Sequence, residues 1–551
     1  MGCTLQPREL AAALRSARRS GQVPRDVGVS VHGDVAVEIR VHAGRLLKPL
    51  VPLRTAAPPL RRNTTWSHLL HAGVLETLDT REEGGAFVRA FGGAADPRHT
   101  HAEVFPTASL GCAAATIPFL DHEPSPRASY FTSQGNQAMG FDPRNFTKHR
   151  LDTKAFGLWY PQRSLVNTSY SRASGAESRQ PTGQSVVVAV MSCQGAEEDA
   201  ILVNKAAVER GLFRGTQWDT KTVSTADRCA KVFAADAAHP TLDPHTGLAK
   251  VGAVLRQRDA YACLASETGM QALKHGGALP ARVERVVAFT DPQGYATAKL
   301  KLRTDRPLMV GDKLSSRFAQ KGVVSRLVDP TALPWDEATG VVPDLVVHPC
   351  FLPSRMTVGQ LMEGLAGFAA CQLGMRHVDA TAFAHSTASL VEGLRRRGFQ
   401  SSAVRMRDPF TGERYPDPVE LHVVQYNRLN KFSSQKTRVR TQGKRDVVTG
   451  QPVAGKHFGE KALRCGVMET AAMAAHGGSA TLSDACRARS DGLVVRVCAA
   501  CGNSHVRAKG APCPACGGAE IVDVETTCAS VRMTQVCEAM GMGMRLVPAD
   551  T

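Results

Sequence analysis

At 551 residues the chain is too long for one hydrophobic core, and roughly three to five domains are expected. Its 43% hydrophobic and 21% charged residues are those of a folded protein, and no apolar run approaches the ~20 residues that span a bilayer, which argues against a helical membrane protein. The 67 Lys+Arg against 50 Asp+Glu give a net charge of +17, which suits a polyanionic partner, nucleic acid ahead of an anionic membrane surface, although an Arg-rich proteome would give the same excess.

In chain order, a basic helix is expected over Pro7 to Arg19, then strand-like alternation from Val27 to Val41. Residues 56 to 110 are punctuated by Pro, Gly and Arg around one helical candidate, Trp66 to Leu78. A strand, Ser185 to Met191, runs into Glu197-Glu198-Asp199, and a helix is expected from Ile201 to Arg210, stopped by Gly211. Adjacent carboxylates repel unless solvent or a cation relieves them. At a strand end they suit Mg2+; at a helix N-terminus they are favoured without any metal, and the residues alone favour this second reading.

An alternating strand, Lys299 to Arg303, precedes the loop Gly311 to Gly322, which packs Lys313, Arg317 and Lys321 among small residues. Cations that close repel one another unless an anion sits between them, and a polyphosphate or a nucleic-acid backbone is the natural candidate. Pro353-Ser354-Arg355-Met356-Thr357 leads into an amphipathic helix with Leu361, Met362, Leu365 and Phe368 at helical spacing and Gly374 as its stop. A second basic run holds Lys431, Lys436, Arg438, Arg440, Lys444 and Arg445. Alternation would put Lys436, Arg438 and Arg440 on one face of an extended segment, with a solvated surface as the plain alternative. His476 reads as a packing residue.

Cys498-x2-Cys501 and Cys513-x2-Cys516, eleven residues apart with Gly502, Gly517 and Gly518 near the turns, have the spacing of a four-thiolate structural zinc site. A closed shell of four sulfurs leaves no position for a reactive water. Cys486, Cys528 and Cys537 read as core residues. The remaining cysteines are scattered singly and the N-terminus has no hydrophobic signal core, so a soluble intracellular protein without a membrane partner is expected. No internal repeat is evident.

These motifs together resemble the second-largest subunit of multisubunit DNA-dependent RNA polymerases, of the eukaryotic, archaeal and large-DNA-virus kind. The resemblance runs in order from near residue 7 to near 545. It is carried by His42 to Leu50, Thr100 to Val104, Ile117-Pro118-Phe119, Ser125-Pro126-Arg127, Asn136 to Gly140, Arg150 to Thr153 and Tyr160-Pro161-Gln162. Further on it rests on Glu198-Asp199-Ala200 with Asn204 and Glu209 to Phe213, the Gly311 loop, Pro353 to Thr357, Gln451 to Lys456 and Leu463 to Glu469. Three departures stand out: Glu197 replaces the family's Gln, Phe318-Ala319 its His-Gly, and Val467 a Glu.

The resemblance implies an α+β multidomain fold with a large β component: a hybrid-binding core with a wall, or flap, insertion and a C-terminal four-cysteine zinc-ribbon clamp module. The implied domains are 1–55, an external-type module; 56–112, a fork or external connection; 113–213 and 307–459, the two parts of the hybrid-binding core; 214–306, the wall; 460–482, the anchor; and 483–551, the zinc-ribbon clamp module. By the same resemblance Lys313 and Lys321 reach the RNA 3′ end and nearby phosphates, and Arg355 and Arg127 contact the phosphates of the nucleotide. Glu198 and Asp199 lie near a second Mg2+. Gln137, Arg317, Lys431, Lys436, Arg438 and Arg440 line the RNA–DNA hybrid.

In this family the main catalytic metal is held by an Asp-x-Asp-x-Asp cluster on the largest subunit, and no two aspartates here are two residues apart. The implied activity is therefore nucleotidyl transfer within a complex. The implied partners are a largest subunit, the N-terminal half of the second-largest subunit, smaller assembly subunits, DNA template, RNA product and NTPs. A naturally split gene is expected over a C-terminal fragment, because Met1 falls at a module edge. The competing reading is a catalytically degenerate nucleic-acid-binding or assembly protein that keeps the fold.

Overall fold

The computed structural model describes residues 6–33, 35–53, 65–140, 150–175, 179–226, 230–234, 238–266, 269–384, 386–436, 443–453, 462, 464–504 and 510–545. The chain divides into two compact units, Met1–Lys436 and Thr437–Thr551.

A closed barrel organises the first unit. Its strands follow one another in the ring order Lys313–Ser316, Lys321–Val328, Ala200–Asn204, Leu345–Val347, Gln184–Val190 and Val419–Arg428. The last pairs back to the first, Leu314 with Arg428 and Ser316 with Tyr426, so the ring has no open edge. Alternate residues serve two cores, as a period of two requires. Val186, Val188, Ile201, Val203, Leu314, Val324 and Val424 pack together, while Ala189, Leu202, Val346 and Leu421 pack with Phe368 and Ala369.

Phe368 and Ala369 belong to the helix Val358–Leu373, which ends at Gly374 in the left-handed region (φ 67°). This helix lies against the strand Val419–Arg428 at unusually short range. A Cβ on Gly367 would sit 2.0 Å from the Val423 carbonyl oxygen, and one on Gly364 would meet the His422 ring at 2.3 Å. Glycine is the residue that permits this approach.

The helix expected over Ile201 to Arg210 is mostly strand. Ala200–Asn204 pairs in parallel with Lys321–Val328 and antiparallel with Leu345–Val347, and only Lys205–Glu209 is helical, capped by Asn204 accepting from the Ala206 amide at 3.0 Å. A run of Ile, Leu and Val buried on both faces cannot be told from a helix by periodicity alone. The helical candidate Trp66 to Leu78 is likewise shorter: a helix Trp66–His71 followed by a strand Glu76–Asp79.

That strand pairs with Leu47–Pro52, which also pairs with His101–Glu103, so the boundary expected at residue 55 falls inside one sheet. Beneath it Arg18, 2% exposed, donates to the Val27 carbonyl at 2.6 Å and to Glu82 at 2.7 Å, and also bonds Glu76. Residues 214–306 form antiparallel sheets around their own core of Val223, Leu255, Leu264, Val283 and Leu300. The strand Lys154–Leu158 joins that sheet from outside the expected limits.

One five-residue device, Asp-x-x-Thr-Gly, closes four hairpins at Asp243, Asp336, Asp408 and Asp446. In each, the glycine amide donates to the Asp carbonyl, at 2.8–3.0 Å, and the glycine has φ between 66° and 72°. The Asp carboxylate accepts from the amide two residues on, a local turn that fixes the loop.

The second unit begins at Thr437, before the boundary expected at 459. It carries an antiparallel pair, Gly492–Cys498 and Ile521–Thr527, with helices Val467–Ala475, Ser479–Cys486 and Cys528–Ala539. Cys486 is exposed and Cys528 and Cys537 are half-buried, so none of the three is the core residue expected. Among the described residues no helix is long and apolar enough to cross a membrane.

Candidate functional site

Barrel topology brings three distant segments to one rim. Ala200–Asn204 and Lys321–Val328 run parallel, so the acidic turn before the first and the basic loop before the second share an end. Leu345–Val347 runs the other way and delivers the short helix Phe351–Arg355 to the same place. The Val323 amide donates to the Asp199 carbonyl at 2.9 Å, and a Cβ at Gly322 would stand 2.8 Å from that oxygen.

Glu198, Asp199, Lys321 and Arg355 line one recess at this rim, floored by Phe351 and Tyr426. Arg355 spans it. Its Nη2 lies 2.6 Å from Asp199 Oδ1 and its Nη1 donates to Gln320 Oε1 at 2.7 Å. Glu197 turns away from the recess and accepts the Gly195 amide at 3.0 Å, which holds its carboxyl below the usual range. The extra negative charge there is thus absorbed by the turn's own backbone. Glu198, Ala319 and Met356 all have positive φ, 49°, 57° and 55°. Three left-handed non-glycine residues around one recess mark stored backbone strain of the kind that gathers at working sites.

The lysines form a second group beside it. The Lys313 ammonium is pushed down first by burial and then by Lys436, Lys321 and Lys431. A cation crowded by three others sits in a field that an anion would relieve. The Asn430 amide donates to the Gln137 carbonyl at 2.9 Å, which sets Gln137 beside Lys431. Arg127, on the helix Ser125–Gly135, donates to the Ala319 carbonyl at the tip of the basic loop at 3.4 Å and stands over the Tyr130 ring at 5.8 Å. Arg438 and Arg440 lie outside the described residues.

Arg317 is not with them. It is 5% exposed, bonded to the Val166 carbonyl at 2.6 Å and to Glu363 at 2.5 Å, and Glu363 also accepts the Gln425 amide at 3.1 Å. The expected nucleic-acid contact is therefore a buried ion pair. Its carboxyl is pushed up by burial and pulled back by Arg317. Phe318 beside it packs with Ile117, Leu120 and Ala382. Around this pair runs a polar network that sequence reasoning missed: Ser316 to Gln360 at 3.0 Å and Gln320 to Thr357 at 2.7 Å. Gln and Thr carry no pattern that separates a buried network from a surface; the one available signal was their place beside the cations.

Glu123 belongs to the same neighbourhood. Burial pushes its carboxyl up to about 8, against the pull of the Gly359 and Gln360 amides and of Arg127. A carboxyl raised in the folded state favours folding below its unfolded pKa and loses that advantage as pH climbs toward the folded value. Glu123→Gln is therefore expected to change thermal stability little near pH 5 and to raise it above pH 8. Unfolding curves across that range check this.

In the second unit the Sγ atoms of Cys498, Cys501, Cys513 and Cys516 all lie within 4.8 Å of one another, with Cys498–Cys516 at 3.6 Å and Cys501–Cys513 at 3.5 Å. Tetrahedral ligands about 2.3 Å from zinc stand about 3.8 Å apart. Each knuckle closes alike: the Gly502 amide donates to the Cys498 carbonyl and the Gly517 amide to that of Cys513, both at 2.8 Å. Four soft sulfurs in this shape fit zinc.

Residues 113–458 match the family described as RNA polymerase Rpb2, domain 6. The chain is 31% identical over 538 residues to the DNA-directed RNA polymerase subunit Rpo2 of Saccharolobus solfataricus, covering 90% of this chain and 47% of the relative. It is 30% identical to the DNA-directed RNA polymerase II subunit RPB2 of Encephalitozoon cuniculi, covering 91% and 48%, and 34% identical over 425 residues to the human DNA-directed RNA polymerase I subunit RPA2, covering 73% and 37%. The chain spans about half the length of the curated relatives it matches.

Proposed function

The chain belongs to the family of second-largest subunits of DNA-directed RNA polymerase, and from that premise we propose that it supplies the phosphate-binding and hybrid-binding side chains of template-directed RNA synthesis. The single observation that carries this is the meeting of Lys321, Arg355, Glu198 and Asp199 in one recess, with Lys313 and Arg127 at its border.

In nucleotidyl transfer the RNA 3′ oxygen attacks the α-phosphorus and pyrophosphate leaves, so negative charge grows on both sides of the reacting phosphorus. Arg355 and Arg127 hold the triphosphate, the planar fork of guanidinium matching phosphate oxygens. Lys321 and Lys313 neutralise charge at the RNA end, and Lys431, Lys436 and Gln137 follow the nucleic-acid backbone. Fixed cations that need no reorganisation lower the barrier most. Glu198 and Asp199 are the residues that would hold a Mg2+ shared with another subunit; that ion would neutralise phosphate charge. The four cysteines are the residues that would hold a zinc ion, which would fold the C-terminal ribbon. The partners are a largest subunit bearing the main metal, the rest of the second-largest subunit, smaller assembly subunits, DNA, RNA and NTPs.

The degenerate reading draws on Glu197, Phe318 and Val467. Two of these are absorbed locally, Glu197 by the Gly195 amide and Phe318 by apolar packing, and Glu198, Asp199, Lys321 and Arg355 all line the recess. That supports an active subunit. The test is assembly of the chain with its partners followed by NTP incorporation on a primed RNA–DNA scaffold. Incorporation is expected to require this chain; a complex equally active without it would end the proposal.

The zinc assignment has its own check. One zinc per chain is expected by elemental analysis, and a strong chelator or Cys513→Ser should open Thr437–Thr551 to protease while leaving Met1–Lys436 resistant. Structural zinc contributes about 10–16 kcal/mol of apparent binding free energy in small zinc modules, so its loss should abolish local folding.

A further inference from the structure

Gln320 and Thr357 have no role in the function proposed above, yet Gln320 is bonded to its central arginine and Thr357 to Gln320. Gln320 is 6% exposed and Thr357 0%. Gln320 Oε1 accepts from Arg355 Nη1 at 2.7 Å, and its Nε2 donates to Thr357 Oγ1 at 2.7 Å and to the Phe351 carbonyl at 3.5 Å. A carboxamide is the side chain that both accepts and donates while carrying no charge. Its orientation is forced, because Arg355 offers only donors and the far end faces only a hydroxyl and a carbonyl.

Thr357 occupies the N-cap of the helix Val358–Leu373 but makes no side-chain capping hydrogen bond. Threonine at that position ordinarily accepts an amide of the first helical turn. Here its hydroxyl is turned to Gln320, and the Glu123 carboxyl lies against the Gly359 and Gln360 amides instead. A helix end that forgoes its own cap for a distant glutamine indicates that the glutamine's position matters.

The backbone enforces the same placement. Gln320 and Lys321 are successive residues entering a strand, so one side chain points in and the other out, the first buried and the second exposed. The Ser316 amide donates to the Gln320 carbonyl at 3.0 Å and closes the loop behind it. Left-handed Ala319 and Met356 flank Gln320 and Arg355 respectively. Arg355 uses two of its five N–H groups on Gln320 and Asp199 among the described residues, which leaves three directed by the plane that those two bonds define.

From this geometry we infer that Gln320 is a positioning residue that fixes the Arg355 guanidinium plane for phosphate, with Thr357 as its anchor. Asp199 is the exchangeable partner on the other side: its side chain is 47% exposed, and an arriving phosphate competes with it for Nη2. The Gln320 bond is the fixed one. A guanidinium held in plane before the nucleotide arrives loses less freedom on binding, so the benefit falls on nucleotide affinity.

The inference rests on the reading of Arg355 as a phosphate ligand, and the experiment separates the two. In the assembled polymerase, kcat and KM for NTP are measured for Gln320→Leu, Thr357→Val, Thr357→Ser, Arg355→Ala and the double variant Gln320→Leu/Arg355→Ala. Gln320→Leu and Thr357→Val are each expected to raise KM for NTP about 10-fold with a smaller change in kcat, the scale of one hydrogen bond to a charged group. Thr357→Ser keeps the hydroxyl and should behave as the unaltered protein. Gln320→Leu should add little once Arg355 is gone, because a positioning residue has nothing left to position. If Gln320→Leu costs the same factor with and without Arg355, or Thr357→Val leaves KM unchanged while Arg355→Ala is impaired, the inference falls alone. An Arg355→Ala enzyme with unaltered incorporation removes the underlying reading instead.

Discussion

Lys321→Ala and Arg355→Ala are each expected to lower nucleotide incorporation by about 100- to 1,000-fold, the scale observed when one preorganised donor to a developing charge is removed. Assembly and thermal stability should survive both changes. Lys321 is exposed at the start of its strand, and removing Arg355 leaves Asp199 with water in place of its partner rather than buried and alone. Lys321→Arg should recover part of the rate by keeping the charge, while Arg355→Lys should recover less because an ammonium cannot reproduce the fork. Single-turnover incorporation on a primed scaffold, beside a melting curve for each variant, provides the measurement. Unchanged rates in both alanine variants would sink the assignment of the recess.

A second large effect is expected inside the barrel. Arg428 is 1% exposed, and its guanidinium donates to the carbonyls of Phe213 and Arg306, each at 2.6 Å, to that of Pro307 at 3.1 Å and to Asp312 at 2.8 Å. Asp312, 2% exposed, in turn accepts the amides of Met309 at 3.0 Å and Ser433 at 3.2 Å. Burial pulls the Arg428 pKa down to about 10, so the group stays charged at neutral pH.

Breaking a buried pair by removing one member costs about 3–5 kcal/mol, because the other charge is left uncompensated. Arg428→Ala should therefore destabilise the first unit by about that much in urea unfolding. Replacing both members, Arg428→Met with Asp312→Asn, should not restore stability, since three backbone carbonyls would still lack their donor. Full recovery in the double variant would show that the charge pair alone mattered.

Local signals in the sequence carried far. The two Cys-x2-Cys knuckles, with glycines at the turns, specify a four-sulfur cluster wherever they sit, because the ligands are neighbours in the chain. The stop at Gly374 and the helix before it follow from apolar spacing and a left-handed cap, both local properties. The recess was legible only through resemblance to known sequences, since Asp199, Lys321 and Arg355 are joined by nothing that periodicity or composition can register.

Tertiary structure decided the rest, for a geometric reason. Whether Ile201 to Asn204 is helix or strand depends on its two neighbours in the barrel, and they come from more than a hundred residues downstream. Within the basic loop the chain shows three similar cations, but ring closure turns Arg317 inward to Glu363 and leaves Lys321 outside at the rim. A side chain's charge is written in its residue type; which solvent it meets is set by the strand register, and register is a property of the closed sheet.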